Sequence, residues 1–344
     1  MFKIITQGAY SNHVERVDEN TYVTSGHLLT SEFEGNASIY FDKSSYEIVD
    51  TRWSVHRAPD RERRGEGRAP MLHGESVYLE DRANSIAILP DYTKSTDYFG
   101  PPGGWKDVPQ HKATLLSGDE ICPDDDRERA RAERKNVSWE WQKIRTLFTE
   151  AMVGPFQAES FLLNERGYND YYDYGAYWMN MKIPDYCLPY KTMNLYIQLS
   201  WMDTTGTSQH YPQGNLYNKY IQYTVCDRGD DVAEAVATYN DSFHEMSVNL
   251  TYRISDGEIL SVESDAQRVP FAPCWTIRER TDGAFVGENV YEIKKRDIGK
   301  VVGGENGCWH MLDMIAYIAT AVQDKRMLDT AGKRDGLYPR PYND

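Results

Sequence analysis

Two stretches of the chain share one outline. Residues 31–59, SEFEGNASIYFDKSSYEIVDTRWSVHRAP, and residues 242–270, SFHEMSVNLTYRISDGEILSVESDAQRVP, align at a constant offset of 211 (242 − 31). The pairs Ser31/Ser242, Ser44/Ser255, Glu47/Glu258, Ile48/Ile259, Arg57/Arg268 and Pro59/Pro270 all keep that offset. Each stretch alternates polar and apolar residues in two runs around a turn, at 43–45 and at 255–257, and is closed by proline. This is the pattern of an antiparallel hairpin with one buried face.

A lone hairpin cannot bury its apolar face. Each is followed, after a long connection, by a segment of helical spacing. In residues 139–152 the stripe is Trp141, Ile144, Phe148 and Met152; in residues 309–322 it is Met311, Leu312, Met314, Ile315, Ile318, Ala319 and Val322. The expectation is an α+β protein with antiparallel sheets packed on long helices, a pseudo-symmetric duplication of a strand–strand–helix unit. Its halves would be residues 1–155 and 156–344, forming one compact body.

A formal net charge of −15 repels phosphate backbones and anionic lipid, which sets aside nucleic acid and membrane surfaces as partners. The basic run at 57–68, RAPDRERRGEGR, is interleaved with acids and glycines and reads as a solvated loop. The first residues, MFKIITQGAY, lack a basic segment followed by an apolar run, and no apolar stretch reaches the length of a membrane span. A cytoplasmic protein is expected. Five cysteines, Cys122, Cys187, Cys226, Cys274 and Cys308, are widely spaced without a CxxC, which fits reduced thiols better than a disulfide framework.

Chemistry concentrates at GGENGCWHMLD, residues 303–313. The glycines hold open the start of an amphipathic helix, and Cys308 and His310 fall in its first turn. Unpaired N–H groups and the helix dipole there favour a thiolate or a bound anion. Asp313, three residues after His310, lies on the same helical face and is placed to orient its imidazole. A buried cysteine at such a helix entry is equally an apolar filler.

The segment 167–201 holds the densest aromatic content of a chain with 25 tyrosines against 10 phenylalanines and 8 tryptophans. Rings that carry a hydroxyl suit a pocket for an aromatic or hydroxylated small molecule. Tyr171, Tyr172, Tyr174 and Trp178, with Arg268 from the second hairpin, are the candidate substrate contacts. The same residues would suit a subunit interface, so a homodimer is the other partner considered.

Residues 240–325 resemble an uncharacterised bacterial family. Its pattern is His-x-Met opening a strand, a hairpin ending in Pro and Cys, then Gly-Gly-x-x-Gly-Cys-x-His-Leu on a helix. His244, Met246, Pro270, Cys274, Gly303, Gly304, Gly307, Cys308 and His310 match it; Met311 stands where the family has leucine. The resemblance implies a domain of unknown function and no reaction.

Two chemistries follow if these residues converge. In one, Cys274, Cys308 and His310 bind zinc or another divalent metal, since thiolate and imidazole are that ion's usual donors. In the other, no cofactor is needed: His310 or His244 is the general acid or base, tuned by Asp313 or Glu245, with Cys308 as a nucleophile in a further variant. No GxGxxG after a strand, GxxxxGK[ST], GxSxG or HExxH occurs, so dinucleotide redox, P-loop, α/β-hydrolase and zincin chemistry lack support. The expected function is an enzyme of isomerase, lyase or hydrolase type acting on a small aromatic or carbonyl-bearing molecule. Its rival is a non-catalytic ligand-binding or assembly protein whose Cys and His are structural.

Overall fold

The computed structural model describes residues 3–42, 48–57, 65–68, 187–190 and 215–332, with positions 143, 146–148, 150, 151, 154 and 158. The described residues fall into two compact units. One holds residues 3–10, 187–190 and 219–332; the other holds 11–42, 48–57, 65–68, the positions between 143 and 158, and 215–218.

The strands are β1 (Lys3–Arg16), β2 (Thr21–Thr30), β3 (Glu34–Asp42), β4 (Ile48–Arg57), β5 (Gly65–Arg68), β6 (Asn215–Gly229), β7 (Val232–Asp241), β8 (Glu245–Arg253) and β9 (Ile259–Arg268). The helices described from end to end are α1 (Arg278–Thr281), α2 (Lys295–Val302) and α3 (Trp309–Gly332). The division into units falls inside β1 and β6. Antiparallel sheet with a few helices gives the α+β class that the alternation predicts. Of these three, α3 is the long one, at 24 residues, where α2 has 8 and α1 has 4.

In the unit that contains residues 219–332 the strands run in the order β6-β7-β8-β9, each antiparallel to its neighbour. Strict alternation decides which face is buried. Lys219, Ile221, Tyr223 and Val225 point inward from β6, Ala233, Ala235, Ala237, Tyr239 and Asp241 from β7, and Met246, Val248, Leu250 and Tyr252 from β8. Helix α3 covers β7 and β8 with Met311, Leu312, Met314, Ile315, Ile318, Ala319 and Val322, all buried as their spacing predicts. Burying each of the larger of these is worth about 1.5–3 kcal/mol. The helix runs ten residues past the end of the apolar pattern at Val322, and the last turns carry the Lys325–Asp329 pair at 2.6 Å. A four-residue spacing brings such charges together on one face.

In the other unit the order is β5-β4-β3-β2. Tyr22, Thr24 and Leu28 of β2, Ala37, Ile39 and Phe41 of β3, and Val55 of β4 form the buried face. Positions 143, 146–148, 150, 151 and 154 are helical, within or beside the predicted 139–152 segment, and Leu147, Phe148 and Ala151 are buried. Thr24 donates its hydroxyl to the Ala151 carbonyl at 2.5 Å, and a Cβ added at Gly154 would strike the Thr24 hydroxyl and the Asn12 side chain. Within the run read as a loop at 57–68, residues 65–68 instead pair with β4 as β5. Residues 58–64 and the turn at 43–45 lie outside the described residues, as does the tyrosine-rich segment apart from 187–190.

Candidate functional site

The inward stripe of β7 ends in a carboxylate. Asp241 is the last residue of the strand and its side chain is 2 % exposed. It closes the turn into β8: its N–H donates to the His244 carbonyl at 3.0 Å, while its Oδ1 accepts the N–H groups of Phe243 (2.7 Å) and His244 (2.6 Å). Aspartate favours this position because its side chain satisfies backbone donors two and three residues on. The same carboxylate meets His244 Nδ1, at 3.0 Å to Oδ1 and 3.2 Å to Oδ2, and Oδ2 accepts the Tyr239 hydroxyl at 3.1 Å. Burial pushes the Asp241 pKa up, but the charge and hydrogen bond of His244 and the Phe243 N–H outweigh it and hold the carboxyl well below its usual range.

Arg268, at the end of β9, locks the turn from outside. Its Nη2 donates to the Asp241 carbonyl (2.8 Å), the His244 carbonyl (3.0 Å) and Asn240 Oδ1 (3.1 Å). The residue expected to touch substrate is thus committed to backbone carbonyls of the turn.

His310 arrives from α3. The chain leaves α2 at Gly303, makes a short 3-10 turn at Gly304–Asn306 with Gly304 at φ +69°, and enters α3 after Cys308. The crossing is tight: Cys308 N–H donates to the Val302 carbonyl at 2.6 Å, and a Cβ on Gly307 would strike the Val302 and Gly303 carbonyl oxygens. The glycine spacing reflects this close backbone approach. Leu188 N–H adds a bond to the Gly307 carbonyl at 3.0 Å.

Cys308 is the residue before the first helical one, and the Leu312 N–H returns to its carbonyl at 3.1 Å. Burial drives its thiol up, the N–H groups of Met311 and His310 pull it back in part, and the net value is about 11. The expected thiolate at the helix mouth is therefore a neutral thiol; desolvation exceeds the contribution of the helix end. Its Sγ lies 3.6 Å from His310 Nδ1. Cys274, in the 3-10 segment Ala272–Ile277, is also neutral, pushed to about 12 by burial and then by Cys308.

The two histidines meet as tilted rings. The His310 and His244 ring centroids are 3.9 Å apart with planes at 41°, and Tyr239 packs its ring edge on both, at 4.5 Å from His310 and 6.0 Å from His244. Burial, then the neighbouring His244 charge, force His310 well below the usual imidazole pKa, with Lys219 acting in the same sense and Asp241 against it.

The structure thus brings His244, His310 and Cys308 together, with Arg268 behind the turn. Asp313 is not beside His310 as its orienting group; it pairs with Lys295 of α2 at 2.8 Å. Glu245 is exposed at the start of β8. Tyr171, Tyr172, Tyr174 and Trp178 lie outside the described residues.

Sequence reasoning missed Asp241, Tyr239 and Lys219. Tyr239 and Asp241 extend the alternation Ala233, Ala235, Ala237, so the parity of β7 alone marks an acid at the buried end of a strand. Lys219 is fully buried, is the Cα partner of Asp241 across the β6–β7 ladder, and places its Nζ 5.2 Å from the Tyr10 ring centroid. Its odd parity on β6 was the available signal.

Among the described residues, one group of three has ligand atoms close enough to share an ion: Asp241, His244 and His310, all within 4.8 Å of one another. It contains His310 from the expected metal set and neither cysteine. Among the described residues, Cys187, Cys226, Cys274 and Cys308 form no disulfide. Among the described residues no helix is long and apolar enough to cross a membrane.

The sequence model of a family described as "Protein of unknown function (DUF2889)" matches residues 222–323, from within β6 to within α3, and so includes the site. No curated protein and no solved structure matches the chain.

Proposed function

We propose that the chain is an enzyme that performs acid–base chemistry on a small aromatic or carbonyl-bearing molecule, with His244 as the group that exchanges the proton. The observation that carries this reading is the Asp241–His244 pair, its Nδ1 contact at 3.0 Å set against the second imidazole of His310. With the Nδ1 proton donated to Asp241, Nε2 of His244 is left as a base, and the carboxylate stabilises the imidazolium once Nε2 is protonated. His244 is the more exposed partner, its side chain 13 % accessible against 2 % for Asp241, as suits the member that meets substrate.

His310 is neutral and can serve as an uncharged partner. The protonated Cys308 thiol beside its Nδ1 favours the tautomer that carries the proton on Nε2, a donor suited to polarising a carbonyl oxygen. Isomerisation, elimination and hydrolytic cleavage all use such a pair.

A metal-assisted form is the second reading, favoured by the mutual approach of Asp241, His244 and His310 within 4.8 Å. Two neutral imidazoles and a carboxylate are a donor set for a divalent transition ion. An ion there would compete for Asp241 with Phe243 N–H, His244 N–H and Tyr239 hydroxyl, so the carboxylate suits orienting His244 better than ligation.

The test is a screen of phenolic and carbonyl compounds for thermal stabilisation, with stabilising compounds assayed for turnover. Turnover lost in His244→Asn, with binding and melting temperature kept, is the expected result. Turnover that survives His244→Asn, or binding without turnover, rejects it; the latter selects a binding protein. Elemental mass spectrometry separates the metal form, which requires stoichiometric ion lost in a His244→Ala, His310→Ala variant.

A further inference from the structure

The turn that carries Asp241 and His244 has a counterpart in the other unit. Strands β2, β3 and β4 span 21–30, 34–42 and 48–57; adding 211 gives 232–241, 245–253 and 259–268, the bounds of β7, β8 and β9. Register repeats too. Thr21 faces Asp42 and Leu29 faces Glu34, as Val232 faces Arg253 and Asn240 faces Glu245. Register shifts interrupt β3–β4 at Glu34/Gly35 and Tyr40/Phe41, and interrupt β8–β9 at Glu245/Met246 and Thr251/Tyr252, again 211 residues on. Bulges are conserved within families, so two coincident pairs are what two copies of one unit would carry.

At the turn itself the bonds match one for one. Thr30 N–H donates to the Phe33 carbonyl at 2.7 Å where Asp241 N–H donates to that of His244 at 3.0 Å. Thr30 Oγ1 accepts the N–H groups of Glu32 (3.2 Å) and Phe33 (2.9 Å) where Asp241 Oδ1 accepts those of Phe243 and His244.

We infer that the chain contains two copies of one strand meander and that the N-terminal copy is a silent counterpart of the candidate site, with Thr30 and Phe33 in the places of Asp241 and His244. A hydroxyl holds the turn as a carboxylate does, but it brings no charge to bind an imidazole. Phe33 is fully buried and lies against Gly35, where an added Cβ would come within 2.8 Å of its ring. The corresponding positions in the C-terminal copy are His244 and Met246, an imidazole and a long side chain where the N-terminal copy has a phenyl ring and a glycine. The family match at 222–323 falls on the copy that keeps the acid and the imidazole. The inference goes beyond the proposed activity and stands on turn geometry whether or not His244 proves catalytic.

Two exchanges test it on the full chain. If the turns are equivalent, Asp241→Thr unfolds at a higher temperature than Asp241→Ala, because only the hydroxyl keeps an acceptor for both N–H groups. In the N-terminal copy, the new imidazole of Thr30→Asp, Phe33→His titrates at higher pH by NMR than that of Phe33→His alone, since the new carboxylate faces it. His27 and Glu34, 4.0 Å apart on β2 and β3, are common to both variants and cancel. Equal melting of Asp241→Thr and Asp241→Ala overturns the equivalence, as does an imidazole indifferent to Thr30→Asp. Should the buried Phe33 variants fail to fold, the comparison at Asp241 decides.

Discussion

His310 lays its imidazole 3.9 Å from that of His244, while Asp241 holds His244 from the other side through Nδ1. Two imidazoles at this distance do not both carry charge in a buried site, because the repulsion adds to the cost of desolvation. The carboxylate bonds His244, and His310 is the one forced to stay neutral.

Removing the charge at Asp241 tests that assignment. Asp241→Asn retains an oxygen for the Phe243 and His244 N–H groups but loses the anion that holds Nδ1. A loss of about 1.5–3 kcal/mol in urea unfolding is expected, the range for a charge-assisted hydrogen bond. Nitrogen-15 imidazole spectra should show His244 shifting from one tautomer to a mixture.

Acid should unfold the metal-stripped protein in two stages. His310 has a folded pKa below its unfolded value of 6.5, so below that pH the unfolded chain binds a proton that the folded chain refuses. Stability is therefore complete above pH 6.5 and falls as pH drops, with a slope of up to about 1.4 kcal/mol per pH unit. Asp241, also depressed, adds its loss only below its unfolded value of 3.8. Denaturant midpoints measured between those two values should flatten in His310→Gln; an unchanged slope would mean that His310 is not held neutral.

Gly307→Ala should be far more damaging than Gly229→Ala. The first drives a Cβ into the Val302 and Gly303 carbonyl oxygens, which are backbone and cannot rotate away; the second meets nothing within 4 Å and suffers only its φ of +87°. Strain at such a φ costs about 1–3 kcal/mol. Calorimetric melting should place Gly307→Ala well below Gly229→Ala, or leave it unfolded.

Arg268→Lys should not substitute for arginine. One nitrogen of the planar guanidinium reaches two turn carbonyls and Asn240, a geometry a lysine ammonium on a flexible stem does not reproduce. Melting temperature should fall only slightly, while the His244 imidazole resonances broaden as the turn loosens. If Arg268 instead contacts substrate, ligand affinity changes and those resonances do not.

Local pattern made the second hairpin and the α3 face legible. The alternation at 242–270 and the spacing from Met311 to Val322 each repeat with the period of the element they form, and a residue's side of a strand or helix follows from its neighbours alone. The glycines before Cys308 likewise mark a close backbone crossing that the sequence announces. Helix α3 ran on past Val322 because the polar residues that follow carry no burial signal, and their helical state rests on propensity and on the Lys325–Asp329 pair.

What the chain by itself determined, then, is which residues face inward and where a histidine and a thiol enter a helix. What only the tertiary structure decided is which acid belongs to which imidazole. Asp313 is three residues from His310 but is drawn to Lys295, whereas Asp241, 69 residues away (310 − 241), closes the site. The strand turn, the β9 arginine and the helix entry meet only when the sheet and α3 bury their apolar faces against each other. The same packing desolvates Cys308, so the helix end that promises a thiolate in sequence holds a neutral thiol in the fold.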